Sequence, residues 1–429
     1  MQIHVVTKGQ TLPGIAQAYS VSADVIQQAN QLPNPQDLVP GQALVIPILG
    51  RYYWVRPGDT LYRIARRFGV TLLRLAQANR LSLQNRLRVG MRLYIPPTAK
   101  RRAEINAYIE PPPQGVSEEL RQETEQVSPY LTYLSIASYR VQRDGSLQAP
   151  DIDQLPAIAP RHRVALAMVL TNQEGAQFSD ELGHIILTNT EVQDRLLSNI
   201  IETANRVGYR DIHFDFEFLP VEDREAYNRF LEKAVSRLRP LGFTVATALA
   251  PKTSGAQRGE WYEAHDYPFH GRVADFVVLM TYEWGYSGGP PMAVSPINEV
   301  RKVVDYAVSV MPANKISLGQ NLYGYDWTLP YRRGNPPARG LNPQQALEIA
   351  AREDVEIQYD RVAQAPHFDY TDDAGRRHTV WFEDARSIQA KIDLVKELSL
   401  RGLSYWRLGQ PFPQNWLLIG DQFQVAKKG

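Results

Sequence analysis

Across Asp211-Ile-His-Phe-Asp-Phe-Glu-Phe218, polar and apolar residues alternate without a break. Asp211, His213, Asp215 and Glu217 share one face, and Ile212, Phe214, Phe216 and Phe218 the other. That two-residue period predicts a β-strand. Seven further strands are expected to begin near Ile105, Leu131, Val164, Phe243, Ala274, Ile316 and Gly402. Between them the apolar spacing changes to that of helices, most plainly over 191–207, 221–238, 296–311 and 385–400. Eight β-then-α units in about 330 residues predict an α/β fold, a (β/α)8 TIM barrel. A doubly wound sheet is the alternative, but no GxGxxG turn follows the first strand. The connection between the seventh and eighth strands is longer than one helix needs. About residues 342–382 predict a small α+β insertion with a helix over 343–352, a strand over 355–359 and a hairpin turning at Asp372-Asp-Ala-Gly375. It is expected to wall one side of a groove on the catalytic face.

Ahead of the barrel the pattern repeats with a period of 49. Gly9, Thr11, Leu12, Ile15, Ala16, Asn30, Gly41, Leu44, Ile46 and Pro47 return as Gly58, Thr60, Leu61, Ile64, Ala65, Asn79, Gly90, Leu93, Ile95 and Pro96. Each copy reads strand, helix, helix, strand, giving small domains over 2–48 and 51–97 and a barrel over 102–429. A core this small is marginal alone, so the tandem arrangement is expected to serve avidity.

Composition narrows the function. Apolar residues make up 44% and charged residues 22%, the balance of an ordinary globular protein, and no apolar run is long enough to insert in a membrane. Cysteine is absent, which removes disulfides, thiolate metal sites and a Cys nucleophile. The eight His form no HExxH-like pair, so neither a metal nor another cofactor is expected. The first residues lack the apolar core of a secretory signal. Either the general export route is not used or a leader precedes this sequence. The formal charge of +1 hides an asymmetry: residues 1–100 hold twelve Lys/Arg against three Asp, and ten of the twelve are Arg between Arg51 and Arg92. That module suggests an anionic polymer as partner, either nucleic acid or a cell-wall glycan. Nucleic acid is disfavoured because the basic segment lacks interleaved aromatics for base stacking. No feature of the sequence specifies an oligomeric state.

Four titratable groups in a row on one strand face is the strongest chemical signal. Ionising one carboxylate makes ionising its neighbour harder, which lifts a pKa toward the range of a general acid. Barrel active sites lie at the C-terminal ends of strands, where Glu217 is expected to end the fourth, Tyr282-Glu283 the sixth and Trp406 the eighth.

Two resemblances follow. Val55-x-x-Gly-Asp-Thr-Leu-x-x-Ile-Ala65, then Asn79 and Gly90-x-x-Leu-x-Ile-Pro96, resembles the LysM domain, a βααβ module that binds N-acetylglucosamine-containing glycans such as peptidoglycan and chitin. The first copy departs at Gln10 and Pro13. The Asp215/Glu217 tail of strand four, Met280-Thr-Tyr-Glu283 and Trp406 together resemble family 18 of the glycoside hydrolases. The resemblance is to the branch of spore-germination hydrolases with two N-terminal LysM domains. It implies a retaining, substrate-assisted β-N-acetylglucosaminidase acting on peptidoglycan of the spore cortex. Glu217 is then the general acid and base, Asp215 orients the N-acetyl N–H, and Tyr282 aligns the acetamido carbonyl. Trp406 floors the pocket, Glu283 holds Tyr282 or a sugar hydroxyl, and His213 supports from behind. Apart from the resemblance, Asn172, Asp326 and Trp327 fall on loops whose polarity suggests a rim in contact with sugar. Arg210 and His213 stand where the full signature has Asp. Localisation is expected at the spore coat or cortex or the cell wall. Two other readings are a catalytically inactive glycan-binding coat or wall protein, which usually lacks the terminal Glu present here, and a metal-dependent deacetylase, for which the His spacing is wrong.

Overall fold

The computed structural model describes residues 1–84 and 86–428. Eight parallel strands close on themselves: Arg101–Ile109, Tyr133–Val141, Ala165–Thr171, Asp211–Asp215, Thr244–Leu249, Phe276–Leu279, Ile316–Asn321 and Gly402–Trp406, the last pairing with the first. All eight sit where the alternation and apolar runs place them. Strand four shows why the barrel forms. Ile212, Phe214 and Phe216 are fully buried on its outer face. Phe214 meets Phe230 at a ring separation of 5.2 Å and Phe216 meets Tyr227 at 5.9 Å, both on the helix Arg224–Leu238. The polar face of the same strand points into the barrel.

The alternation stops earlier than the sequence suggests. The ladder ends at the pair Asp215 and Thr171, so Glu217 lies two residues beyond strand four, and Tyr282 lies three beyond the end of strand six at Leu279. Phe218 does not join the apolar face; it turns to a φ of 52° and is 43% exposed.

The insertion is larger than its expected bounds of about 342–382. Its helix is Pro343–Arg352, but its strand is Gln358–Asp360 rather than 355–359. The five-stranded antiparallel sheet also takes in Gly324–Thr328 and Arg339–Leu341. The Pro- and Gly-rich stretch between these two strands reads as plain loop, and that concealed their pairing.

In both N-terminal domains the repeated Asn makes the same three hydrogen bonds within its own domain. Asn30 donates to the carbonyls of Ile26 and Val45 and accepts the Val45 N–H, and Asn79 does the same with Leu75 and Tyr94. Each ties the second helix to the closing strand. The departure at Gln10 is compensated. Gln10 accepts the Thr7 N–H and pairs with His4 as Asp59 accepts the Arg56 N–H and the Tyr53 hydroxyl. Pro13 falls in the first turn of Leu12–Tyr19, where a missing N–H costs nothing.

The first of these domains is docked on the barrel and the insertion. Gln414 donates to Asn30 and to the Ala43 carbonyl, Arg386 to the Gly41 carbonyl, and the Ile357 N–H to Pro40. Gly41 has a φ of 82°, and a Cβ there would lie 1.8 Å from the Ile357 carbonyl oxygen. Gly90, its repeat, has a φ of 83° with nothing within 4 Å. Gly90→Ala is therefore expected to cost about 1 kcal/mol of backbone strain. Gly41→Ala should cost about 1–3 kcal/mol more, since the interface itself must shift. Scanning calorimetry of the two variants checks the difference.

Candidate active site

A cavity of about 180 Å³ opens at the C-terminal mouth of the barrel and is lined by Asp215, Glu217, Tyr282, Glu283 and Trp406, with Tyr108, Thr171, Phe178 and Trp261 among its other walls. Five of the eight residues expected at a site thus meet around one space.

Glu217 is held from several directions. Asn172 donates to the Glu217 carbonyl at 2.9 Å and accepts the Glu217 N–H at 2.9 Å, so both backbone groups are fixed by one amide. His265 accepts the Ala250 N–H at Nδ1, which leaves the proton on Nε2 to bond the Phe216 carbonyl at 2.9 Å. Burial drives the His265 pKa down to about 4, so the ring stays neutral in that role. The Glu217 side chain accepts one hydrogen bond, from the Trp261 indole N–H at 2.5 Å.

The electrostatics are those of a strained pair. Burial pushes the Glu217 carboxyl well above its ordinary range, the nearby Asp215 charge adds to that, and the Trp261 hydrogen bond opposes it. Burial also raises Asp215, to about 7. Asp215 Oδ1 and Thr171 Oγ1 are buried without a hydrogen-bond partner among the described residues. Unsatisfied polar atoms in a barrel mouth are costly unless something that binds there completes them. Tyr282 is kept protonated by burial and by the Asp215 and Glu217 charges, so its hydroxyl remains a donor. In Trp261→Phe the carboxylate form of Glu217 loses its donor, so its pKa rises further. The alkaline limb of a pH–rate profile should then move to higher pH.

Glu283 does not hold Tyr282. Its carboxylate accepts the hydroxyls of Tyr323 at 2.6 Å and Tyr325 at 3.1 Å, both at the start of the insertion. The insertion thereby grips the cavity wall. Trp406 lies half-buried on the opposite side against Tyr108, Ala137 and Val169.

Three expected site residues are elsewhere. His213 does not line the cavity; fully buried in the barrel interior, it sits 3.1 Å from the hydroxyl of Tyr108, which does, in keeping with a supporting position behind the site. Asn172 is not on the rim; it is buried beneath Glu217. Asp326 belongs to a strand of the insertion sheet, and its carboxylate meets the Tyr370 hydroxyl at 2.7 Å and His378 Nδ1 at 2.9 Å. Rim position does not follow from loop polarity, and a strand in the insertion captured this residue. Trp261 was missed. A tryptophan inside the otherwise polar stretch Ser254-Gly-Ala-Gln-Arg-Gly-Glu-Trp261 was the available signal. Among the described residues no group of three or more His, Cys, Asp or Glu could hold a metal ion, and no helix is long and apolar enough to cross a membrane.

The model of glycosyl hydrolases family 18 matches residues 103–410, and the LysM domain model matches 4–47 and 53–96. The chain is 58% identical to the cortical fragment-lytic enzyme of Bacillus subtilis over 100% of its own length and 99% of the relative's. It superimposes on the crystal structure of the spore cortex-lytic enzyme SleL of Bacillus megaterium with a TM-score of 0.93 and 52% identity, covering 100% and 99% of the two chains. A chitinase from Chromobacterium violaceum shares the fold at a TM-score of 0.67 and 23% identity, over 75% of this chain and 98% of that one.

Proposed function

The chain belongs to family 18 of the glycosyl hydrolases and carries two LysM domains ahead of its catalytic barrel, and from that premise we propose that it hydrolyses spore-cortex peptidoglycan at N-acetylglucosamine by a retaining, substrate-assisted route. The observation that carries the reading is the convergence of Asp215, Glu217, Tyr282 and Trp406 on one cavity, with two carboxylates raised by burial. The relatives named for cortex lysis supply the substrate class.

In this family the nucleophile is the substrate's own acetamido oxygen rather than a second carboxylate. Glu217, protonated because burial and Asp215 disfavour its charge, gives its proton to the glycosidic oxygen as the anomeric C–O bond breaks. The acetamido oxygen closes on the anomeric carbon and leaves an oxazolinium cation. Asp215 orients the N–H of that group and, as a carboxylate, offsets the positive charge. The Tyr282 hydroxyl fixes the acetamido carbonyl in line for attack, a proximity effect. Glu217, now ionised, takes a proton from water as that water opens the ring. Trp406 offers an aromatic face to the sugar. The protein acts at the spore, with the LysM pair holding the glycan.

The test is product analysis on cortex fragments. Mass spectrometry should find N-acetylglucosamine at the new reducing end, and NMR during the first minutes should show the β-anomer. An initial α-anomer, or muramic acid at the reducing end, overturns the reading.

A further inference from the structure

A second, larger cleft lies away from the barrel mouth, between the second LysM domain and the last helices of the barrel, and measures about 840 Å³. Arg51, Arg56, Arg67 and Lys100 line one wall, and Lys396 faces them beside Asp393 and Asp421. The Arg51 and Arg67 guanidinium carbons both sit 5.7 Å from the Phe68 ring centroid. Two like charges are thus gathered on one ring. None of the Arg residues between Arg51 and Arg92 forms an ion pair among the described residues, whereas Arg residues of the barrel are widely paired. Asp59, the one acid of that domain, spends an oxygen on the Tyr53 hydroxyl and the Arg56 backbone N–H. The arginines of this wall therefore line the cleft without an ion pair among the described residues, facing the Asp393 charge across it, and Lys100 donates to the Gly420 carbonyl.

We propose that this cleft is a carboxylate-binding site that takes the peptide side chains borne by the glycan strand. This rests on the peptidoglycan reading above, and it assigns the Arg-rich face a ligand distinct from the sugar. Guanidinium groups suit carboxylates because their paired N–H donors match the two oxygens. The charges are interleaved with Tyr52, Tyr53 and Phe68, with Arg51 and Arg67 over one ring, and two acids share the cleft. A dense polyphosphate would be repelled by Asp393, while Asp421 is paired with the Met1 ammonium at 2.7 Å. A flexible peptide with spaced carboxylates and apolar side chains fits between them. The cleft joins the anchoring module to the barrel, so a side peptide held there fixes the strand relative to both.

The experiment uses the full-length chain carrying Glu217→Gln to prevent turnover, with and without Arg51→Gln, Arg56→Gln and Arg67→Gln. A control removes equal charge outside the cleft by Arg66→Gln, Arg74→Gln and Arg88→Gln. Titration calorimetry measures a peptidoglycan disaccharide tetrapeptide, the same compound with its carboxyls amidated, tetra-N-acetylchitotetraose and polyphosphate. We expect the cleft variant to lose about tenfold in affinity for the acidic compound, from a few exposed ion pairs acting together. The loss should shrink in high salt. Affinity for the amidated compound and the neutral oligosaccharide should not change, and the control should keep its preference for the acid. Equal affinity of the parent for acidic and amidated compounds overturns the proposal. So does an equal loss in the control, or polyphosphate binding more tightly than the peptide. If the peptidoglycan reading itself is wrong, active protein with an intact Glu217 neither binds nor cleaves the neutral oligosaccharide; failure of the cleft alone leaves both intact.

Discussion

Glu217→Gln is expected to lower kcat on cortex fragments by about three orders of magnitude while leaving wall binding unchanged, in the range set by loss of a general acid. The amide keeps the shape of the side chain and can still accept the Trp261 indole N–H, so the fold around it is undisturbed. It cannot give a proton to the leaving oxygen or remove one from water, and both half-reactions lose their catalyst. The LysM domains lie outside the barrel, so glycan binding by them is expected to be independent of that group. Release of reducing ends measures the first effect, and sedimentation with purified wall the second. Undiminished release would remove Glu217 from the reaction. Loss of binding together with activity would show that the barrel, not the LysM pair, anchors the protein.

Asp215→Asn should reduce kcat and also displace the pH profile in a direction that Trp261→Phe does not. The acid must be protonated to act, so activity falls as pH rises through the Glu217 pKa. That pKa is raised first by burial and then by the negative charge of Asp215. Removing the charge makes the Glu217 carboxylate easier to form, its pKa drops, and the alkaline limb moves to lower pH. Trp261→Phe removes a donor that favours the carboxylate and moves the limb upward. Opposite displacements in the two variants, read from kcat/KM across pH, identify Glu217 as the group that titrates. Displacement in the same direction would assign the limb to another group. The carboxylates titrate as a pair, so the limb reports an apparent value for both.

Much of the site lay open in the sequence because a strand exposes its chemistry by alternation. Four titratable residues at every second position could only face one side, and a closed barrel has only one inside. Alternation singled out Asp215 and Glu217, and strand-end position with the family resemblance singled out Tyr282 and Trp406, all four of which line one cavity. Residues whose placement depends on partners far away in the chain were misjudged. Asn172 reads as loop polarity, yet its amide clamps both backbone groups of Glu217 across 45 positions. Asp326 reads as a rim residue, yet sheet pairing turns it toward His378 and Tyr370. Glu283 was placed at the cavity, but its tyrosine partners come from the insertion, whose first two strands were hidden by a Pro- and Gly-rich connection.

Periodicity and repetition thus determined the order of strands and helices, the duplicated βααβ domains and the carboxylate pair, because each is written in local spacing. Tertiary packing decided the rest: which oxygen of Glu217 meets an indole, how far each carboxyl departs from its solution pKa, and where unpaired arginines gather between domains. Those properties depend on distance and burial, and burial is set by residues tens or hundreds of positions away.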